Sequence, residues 1–529
     1  MKKWGVVVVL AAAQFVMVLD STVMNVSISQ IVQDLGTTVS ALQTAITFYA
    51  LTMASLMLIG AKLCNKWGLM RAFTIGSVIY GIGSLITALS PNVTTLFIGW
   101  SVIEGLGAVL VIPAVTAIIA LSYKGKERVT AYAIIGGVSG MAAAAGPLIG
   151  GFMTTYLSWR YVFVAETIVM VVVLFKAKSF KVNAPPQKGK LDIQSALLSA
   201  SGLLLIVYGM LLSKTLGWVS PMQIPNIGGY DIAPFGVSIV TYMILTGIVI
   251  IKFFFDRQTM LEANPQGEPL LKVSLLKSKQ LRATLSVLSS QYVITAATFF
   301  VIPIYLQISQ GLNALQTGIK IMPLSIALIV ASVIGSKLIN RYTPKQIVRA
   351  GQILMVAGVV VLLAAIDPEL TSVALSVSLA LLGFGLGLLA SQLANVAIDA
   401  AGSQNSSEVG GMTGTFQNLG SSLGTALIGS VMVASLTTGF VSNINTSTLP
   451  DSIKTYITQQ YQTGVSIVSP SDVTAYAQSQ GIDTQTATDI ADTYSQSQLV
   501  SLKRSIFFLA VIAAMSLLLS KHIPNKKVA

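Results

Sequence analysis

The chain has 529 residues, 53% of them hydrophobic and only 10% charged, with a mean hydropathy of +0.77. A soluble domain carries about 25% charged residues, so the composition excludes a soluble globular protein and marks an integral membrane protein. One cysteine, Cys64, and one histidine, His522, exclude an intramolecular disulfide and a Cys/His metal centre.

The first residues, MKKWGVVVVLAAAQ, imitate a secretory signal, with two lysines, an apolar core and Ala11-Ala12-Ala13. The apolar pattern runs on to about Val26, which is spanning length, so an uncleaved first span is expected. Thirteen further apolar runs of that length follow. The expected spans are 5–27, 41–61, 72–90, 95–121, 130–153, 159–177, 193–213, 236–255, 283–307, 317–337, 346–366, 371–398, 410–438 and 503–521.

The loops assign the sides. Lys2, Lys3, Lys62, Lys66, Arg71, Lys124, Lys126, Arg128, the 176–190 lysines, Lys252, Arg257, Lys272, Lys277, Lys279, Arg282, Lys337, Arg341, Lys345, Arg349, Lys521, Lys526 and Lys527 fall on one side, 26 of the 32 basic residues. Arg160, Lys214, Lys320, Lys454, Lys503 and Arg504 make the six on the other. Cytoplasmic loops are the basic ones, so both termini are expected in the cytoplasm. The net charge of +13 is therefore topological and no nucleic acid is expected as partner.

The octet GAKLCNKW from Gly60 returns as GSKLINRY from Gly335, each ending an even-numbered span on the cytoplasmic side. That offset implies two six-helix bundles, residues 1–180 and 257–529, with two inserted helices at 181–256. The fifth and thirteenth spans are both dense in small residues, GGVSGMAAAAGPLIGG and GGMTGTFQNLGSSLGTALIGS, which let membrane helices approach closely. Paired bundles around a mid-membrane site are the architecture of secondary transporters.

Only three acids lie well inside the expected spans: Asp20, Glu104 and Glu166. At 1.5 Å per residue they sit roughly 10, 14 and 10 Å from the outer ends of spans 1, 4 and 6, at similar depth. No basic residue lies deep in the first six spans to pair with them. Desolvation and mutual repulsion disfavour the charged form, so at least one is expected to hold a proton at rest. The alternative for Glu104 is a neutral carboxyl bonded to a neighbouring helix; for Asp20, local bonding near Asn25; for Glu166, a reach toward the headgroups. Intramembrane acids are by default functional.

Met17 and Met24 share a face with Asp20, and Trp100 and Ala108 share one with Glu104. Gln291, Tyr292, Thr295, Phe299 and Tyr305 in the ninth span, and Phe384, Ser391, Gln392 and Asn395 in the twelfth, are candidate lining. Aromatic and methionine side chains around acids suit lipophilic cations, although such stripes also serve ordinary packing. Gly146, Pro147, Gly150 and Gly151 can bend the fifth span or let it slide, or simply pack tightly.

The linker at 178–192 is expected to be flexible, and the piece 270–279 to lie on the membrane surface. The outer segment 439–502 is polar and acidic, with two helical stretches that start on good caps; a helical cap near the exit and a tolerated insertion both fit. The NTS at 445–447 is a glycosylation sequon only in a eukaryotic cell.

Several motifs together resemble the fourteen-helix drug:proton antiporter branch of the major facilitator superfamily. LDSTVMNVSIS (19–29) resembles the first-helix signature, with Ser29 where proline is usual. LCNKWGLMR (63–71) is similar to the signature between helices 2 and 3, carrying Asn65 for the usual aspartate beside Lys66, Gly68 and Arg71. GPLIGG (146–151) resembles the core of the fifth-helix signature. SVIEGLGAVLVIPA (101–114) is similar to the fourth-helix signature, with Ser101 at the arginine position and Glu104 at the glutamine position. The resemblance implies an all-α major facilitator fold of fourteen membrane helices and export of lipophilic, cationic small molecules driven by a proton gradient. It places helices 1 and 4 beside the central cavity and helix 6 behind, so Asp20 and Glu104 would face the path, with Glu166 more peripheral. The family's proton-linked arginine is missing, and Glu104 is the expected carrier in its place. The implied setting is a bacterial cytoplasmic membrane, and the implied partners are a small-molecule substrate, protons and the bilayer, with no cofactor, no metal and a monomer as the working unit. A lipid or glycolipid exporter of the same fold is the nearest alternative, then a non-transporting receptor or scaffold. No G-x-x-x-x-G-K-[ST] and no H-E-x-x-H occur, so an ATP-driven pump or metalloenzyme is not expected, and no ring-forming repeat suggests a channel.

Overall fold

The computed structural model describes residues 4–123, 125–179, 192–227, 230–231, 233–264, 266–366, 373–402, 405–461 and 464–525. Long helices dominate: α1 Gly5–Val26, α2 Val39–Trp67 and α3 Leu69–Ala88. Next, α4 starts at Val93–Leu96, passes through a π-helical segment Phe97–Glu104 and continues as Gly105–Ser122. Then come α5 Gly125–Tyr156, α6 Arg160–Ala177, α7 Ile193–Leu216 and α8 Ile239–Ala263. The last six are α9 Lys279–Ile304, α10 Ala314–Leu338, α11 Pro344–Ala365, α12 Val373–Ala401, α13 Ser406–Thr446 and α14 Thr484–Leu519. A two-residue ladder pairs Asn226–Ile227 with Tyr230–Asp231 between α7 and α8.

Each expected span thus coincides with a helix. Among the described residues twelve are long and apolar enough to cross a membrane, and thirteen if α5, bent by 41° between Ile134–Ala143 and Ala145–Tyr156, counts as one. The span that falls short is α6, because its 18 residues include Arg160, Glu166 and Lys176.

Glycines set the closest helix contacts, and the same interlock occurs twice. A Cβ at Gly60 of α2 would stand 2.1 Å from the Val109 carbonyl oxygen of α4, and one at Gly335 of α10 would stand 2.2 Å from Ser391 Oγ of α12. Between α3 and α4, Gly107 packs on the Gly76 oxygen and the Tyr80 backbone nitrogen; between α11 and α12, Gly385 packs on the Gly351 oxygen and the Met355 backbone nitrogen. One turn on, Gly83 abuts the backbone of Glu104, and Gly358 abuts that of Leu382. The duplicated octet seen in the sequence is therefore one end of a repeated three-helix contact. Gly68, the residue just after the first octet, joins α2 to α3 at φ +88°, a conformation costly for any residue with a Cβ.

Helix α5 bridges the early and late helices. Gly146 and Gly150 press on Thr22 and Val23 of α1, whereas Gly151 meets Ala314 and Leu315, and the Pro147 oxygen meets Gly318 of α10. These α5–α10 contacts, with Leu315 N–H donating to Thr155 Oγ1 (3.1 Å), lie toward the end assigned as outer. Toward the cytoplasmic end, Gly136, Gly137 and Gly140 face open space. On the opposite seam α2 and α13 touch from Gln43 and Gly429 down to Ala61 and Gly411. There α7 covers the join: buried Lys214 donates to Gln43 Oε1 (3.1 Å), and Gln43 Nε2 donates to the Thr425 oxygen (3.0 Å).

At the cytoplasmic end Arg257 of α8 grips Asp192 at 2.7 and 2.8 Å and, through those bonds, holds its carboxyl below the usual carboxylate range. Most of the linker expected to be flexible, residues 180–191, lies outside the described residues, as do Lys2, Lys3, Lys124, Lys526 and Lys527. The piece 270–279 is anchored to the helices at its start. Gln258 Oε1 accepts from the N–H groups of Leu270 and Leu271, whose buried side chains join Phe254, Leu281 and Met412.

The outer segment packs as helices Asp451–Tyr461 and Pro470–Ser479. Its last stretch does not end before the membrane but runs straight into it as α14, 36 residues long. Tyr494 and Gln498 of α14 tie back the 466–468 backbone, and Ser309 after α9 donates to Gln498 (2.8 Å).

Two glycines separate tight packing from open space. Gly107→Ala places a methyl group against backbone and should cost about 1–3 kcal/mol, whereas Gly137→Ala meets nothing and should be neutral or stabilise by up to about 1 kcal/mol. Denaturant titration of the detergent-purified variants measures both.

Candidate functional site

The three buried acids converge. Asp20 on α1, Glu104 at the end of the π segment of α4 and Glu166 on α6 each present a carboxylate oxygen within 4.8 Å of the other two. Asp20 and Glu104 have no exposed surface and Glu166 has 1%. Glu166, expected to be peripheral, is instead a full member, because α6 packs on α1 and α3 and turns this residue inward rather than toward lipid.

The close approach has a local cause. Gly83 lets α3 lie directly on the Glu104 backbone; a Cβ there would fall 2.6–2.8 Å from its N, Cα and Cβ atoms. The π-helical turn adds a residue to the circuit and so changes which side chain faces α3, and such segments concentrate at functional sites. Next to Gly83, Ser84 Oγ donates to Glu104 Oε1 (2.8 Å), with Glu166 Oε2 at 3.3 Å.

Asp20 is held from the other side. The indole N–H of Trp100 lies 2.8 Å from both its oxygens. Trp100 stacks on Tyr49 with ring centres 4.7 Å apart and planes 8° from parallel. The hydroxyls of Tyr49 and Tyr80 sit beside Asp20, Tyr80 also beside Glu104, yet among the described residues neither makes a hydrogen bond of good geometry, and neither do Glu104 Oε2 and Glu166 Oε1. None of the described ion pairs involves any of the three acids. At about 4.8 Å and an effective dielectric of about 20, two like charges repel by roughly 3.5 kcal/mol. Three bare charges in this dry pocket would repel through three such pairs, so the closed cluster requires compensating positive charge.

The second three-helix contact supplies an internal comparison. Where the first has Glu104, Tyr80 and Ser84, the second has Leu382, Met355 and Val359, all fully buried and apolar. The fold does not need the acids there. Ser101, at the signature's arginine position, is buried and donates to the Ala45 oxygen of α2 (2.8 Å).

The remaining candidates are dispersed. Met17 and Met24 lie in the apolar core, and Asn25 donates to the Ser21 oxygen at 2.7 Å. Gln291 and Gln392 donate to carbonyls of Leu386 and Gly335 on adjoining helices. Thr295 returns its hydroxyl to Gln291, Tyr305 accepts from Gln310, Phe299 is buried, Tyr292 and Phe384 are half-buried and Asn395 is exposed. In the loop motif, Lys66 closes the last turn of α2 next to half-buried Asn65, and Arg71 is exposed at the start of α3. An apolar groove of about 480 Å³ runs between α1, α5 and α6, with Phe15, Met141, Met153 and Glu166 among its lining.

Sequence reasoning missed Tyr49, Tyr80, Gly83 and Ser84. Tyr80, Gly83, Ser84 and Thr87 follow Gly76 at helical spacing, a small-and-polar stripe in an otherwise aliphatic span that marks the face turned to α4. Nothing in the sequence pairs Tyr49 with Trp100.

The Major Facilitator Superfamily pattern matches residues 10–425. The chain is 27% identical over 450 residues to the puromycin resistance protein pur8 of Streptomyces alboniger, covering 84% of each. It is 26% identical over 428 residues to the multidrug transporter protein MdtP of Bacillus subtilis, covering 80% of this chain and 74% of that one. Among solved structures, a bacterial homologue of the human lysosomal transporter Spinster, in its inward-facing, unoccupied conformation, superposes with a TM-score of 0.59 at 13% identity, covering 100% of this chain and 98% of that one; that likeness is one of fold. With a family match over well more than half its length, set on a bundle of apolar membrane helices, the chain belongs to the Major Facilitator Superfamily and is a multi-pass membrane transporter of the bacterial cytoplasmic membrane.

Proposed function

We propose that this chain exports lipophilic, cationic small molecules in exchange for protons, with Asp20, Glu104 and Glu166 as the coupling site. The observation that carries the reading is the buried three-carboxylate cluster, which has no basic partner among the described residues. Protons supply its missing positive charge while the site is closed. When the site opens to water or to a cationic substrate, solvation or the new charge replaces them and the protons leave. Export fits the names of the relatives, which are resistance and multidrug transport proteins.

Two six-helix bundles, α1–α6 and α9–α14, with α7 and α8 inserted, are the moving parts in this reading. The repeated glycine interlock supports that division. The glycine-rich stretch of α5 is the contact across which they rock: tight against α10 at the outer end and free at the cytoplasmic end. The apolar groove that buried Glu166 helps to line is the substrate's approach to the acids in this reading, and no cofactor is needed.

Reconstitution in proteoliposomes tests the coupling. Glu104→Gln and Asp20→Asn should each reduce export driven by an imposed pH gradient by about two orders of magnitude, the usual cost of removing a positioned proton-transfer group. Glu104→Gln should retain substrate counterflow, which needs no proton. Undiminished gradient-driven flux in both variants contradicts the assignment, and gradient-driven movement of a fluorescent lipid in place of cations favours the lipid-exporter alternative.

A second experiment examines the Trp100–Asp20 pair. Trp100→Phe leaves the carboxylate without its donor and should cost about 1–3 kcal/mol of stability. Combined with Asp20→Asn, it should show a coupling energy of about 0.5–3 kcal/mol in a double-mutant cycle of denaturant unfolding. Additive effects contradict the contact.

A further inference from the structure

We propose that the Asp20–Glu104–Glu166 cluster also binds one dehydrated sodium ion, so that sodium and protons serve as alternative counter-charges at one site. The proposal rests on the reading of the cluster as the coupling site and names a second ion for it. One carboxylate oxygen from each residue lies within 4.8 Å of the other two. Oxygens at that spacing lie at most about 2.8 Å from a common centre, so an ion that holds oxygen ligands at roughly 2.3–2.6 Å is reached by all three once they close in by a few tenths of an ångström.

The acids alone do not make an ion site, and a second observation does. Four polar atoms around the cluster are buried without a hydrogen bond of good geometry among the described residues: Glu104 Oε2, Glu166 Oε1 and the hydroxyls of Tyr49 and Tyr80. Tyr49 is 3% exposed and Tyr80 not at all, and both hydroxyls face Asp20. A buried hydroxyl without a partner costs about 1–3 kcal/mol. A cation between the carboxylates gives both hydroxyl oxygens a ligand role and gives the free carboxylate oxygens their charge. In the second three-helix contact Met355 stands for Tyr80, Val359 for Ser84 and Leu382 for Glu104, so Glu104 and the hydroxyls of Tyr80 and Ser84 are missing there together, as members of one site would be.

The chemistry selects the ion. Magnesium keeps several waters and demands octahedral geometry at shorter distances, a poor match to three carboxylates buried from solvent and spaced up to 4.8 Å apart. Calcium matches the size, but a doubly charged ion against three buried carboxylates would be held too firmly for a site that must unload in each cycle. Sodium has the size, the preference for oxygen and the lower cost of dehydration.

The test uses the purified full-length chain in detergent at alkaline pH, with sodium chloride titrated against choline chloride at constant ionic strength. Trp100 reports through its fluorescence, because it donates to Asp20 and stacks on Tyr49. A saturable, sodium-specific change should appear in the wild type and be lost in Trp100→Phe. Isothermal titration should show the same binding, abolished by Glu104→Gln and about tenfold weaker in Tyr80→Phe, the change expected on losing one neutral ligand. Tyr80→Phe keeps the ring in place, so it remains informative if the charge variants fold poorly. No saturable sodium signal in the wild type overturns the proposal, as does a response to calcium without one to sodium. Should a pH gradient drive export while the wild type binds no sodium, only this inference falls; should sodium bind while no pH gradient drives flux, the proton reading falls and the sodium site stands.

Discussion

A carboxylate in the middle of a membrane protein has to be neutralised, and almost everything specific about this molecule follows from having three of them together. Their mutual repulsion and their desolvation penalty both act against a closed, fully ionised state. No lysine or arginine among the described residues relieves that pressure, since the ion pairs found there lie elsewhere. In the proposed reading the compensating charge is a small mobile ion, and its arrival and departure are tied to whether the pocket is shut. That is the physical content of coupling: the same closure that dries the site also decides its occupancy.

The scaffold is arranged to make such a pocket close. Gly83 removes the side chain that would keep α3 from the Glu104 backbone, and the π turn of α4 redirects Glu104 onto that face. At the outer end of the molecule, Gln307 donates to the Val26 oxygen (2.6 Å) and accepts from Ser29 Oγ (2.6 Å). The Ser29 backbone N–H reaches the same oxygen at 3.3 Å. A proline, which the related signature has at this place, could offer neither donor. The Ser29 departure thus makes a bond between the turn after α9 and the segment after α1.

Much of the architecture could be read from the sequence because membrane helices are written in long apolar runs. The basic residues of the loops, and the repeat at Gly60 and Gly335, then limited how those helices could be arranged. The depth of the three acids was legible from helical rise alone. Their convergence was not, because depth leaves the rotation of each helix free. Glu166 illustrates the gap: its helix looks peripheral, yet the packing of α6 on α1 and α3 turns this one residue inward. Tyr49, Tyr80 and Ser84 were hidden for a related reason, since a tyrosine or serine in a span looks the same whether it faces lipid, a neighbour's carbonyl or a carboxylate. Conversely, Gln291 and Gln392 had the look of pocket residues, but their amides are used on adjoining backbone.

The account depends most directly on proton release. A purified sample in weakly buffered detergent solution, mixed with a lipophilic cation and followed with a pH-sensitive dye, should acidify the medium in proportion to the substrate bound. The Asp20→Asn, Glu104→Gln, Glu166→Gln triple variant should give no such signal. Saturable binding of the cation by the wild type with no proton appearing in solution would contradict the account.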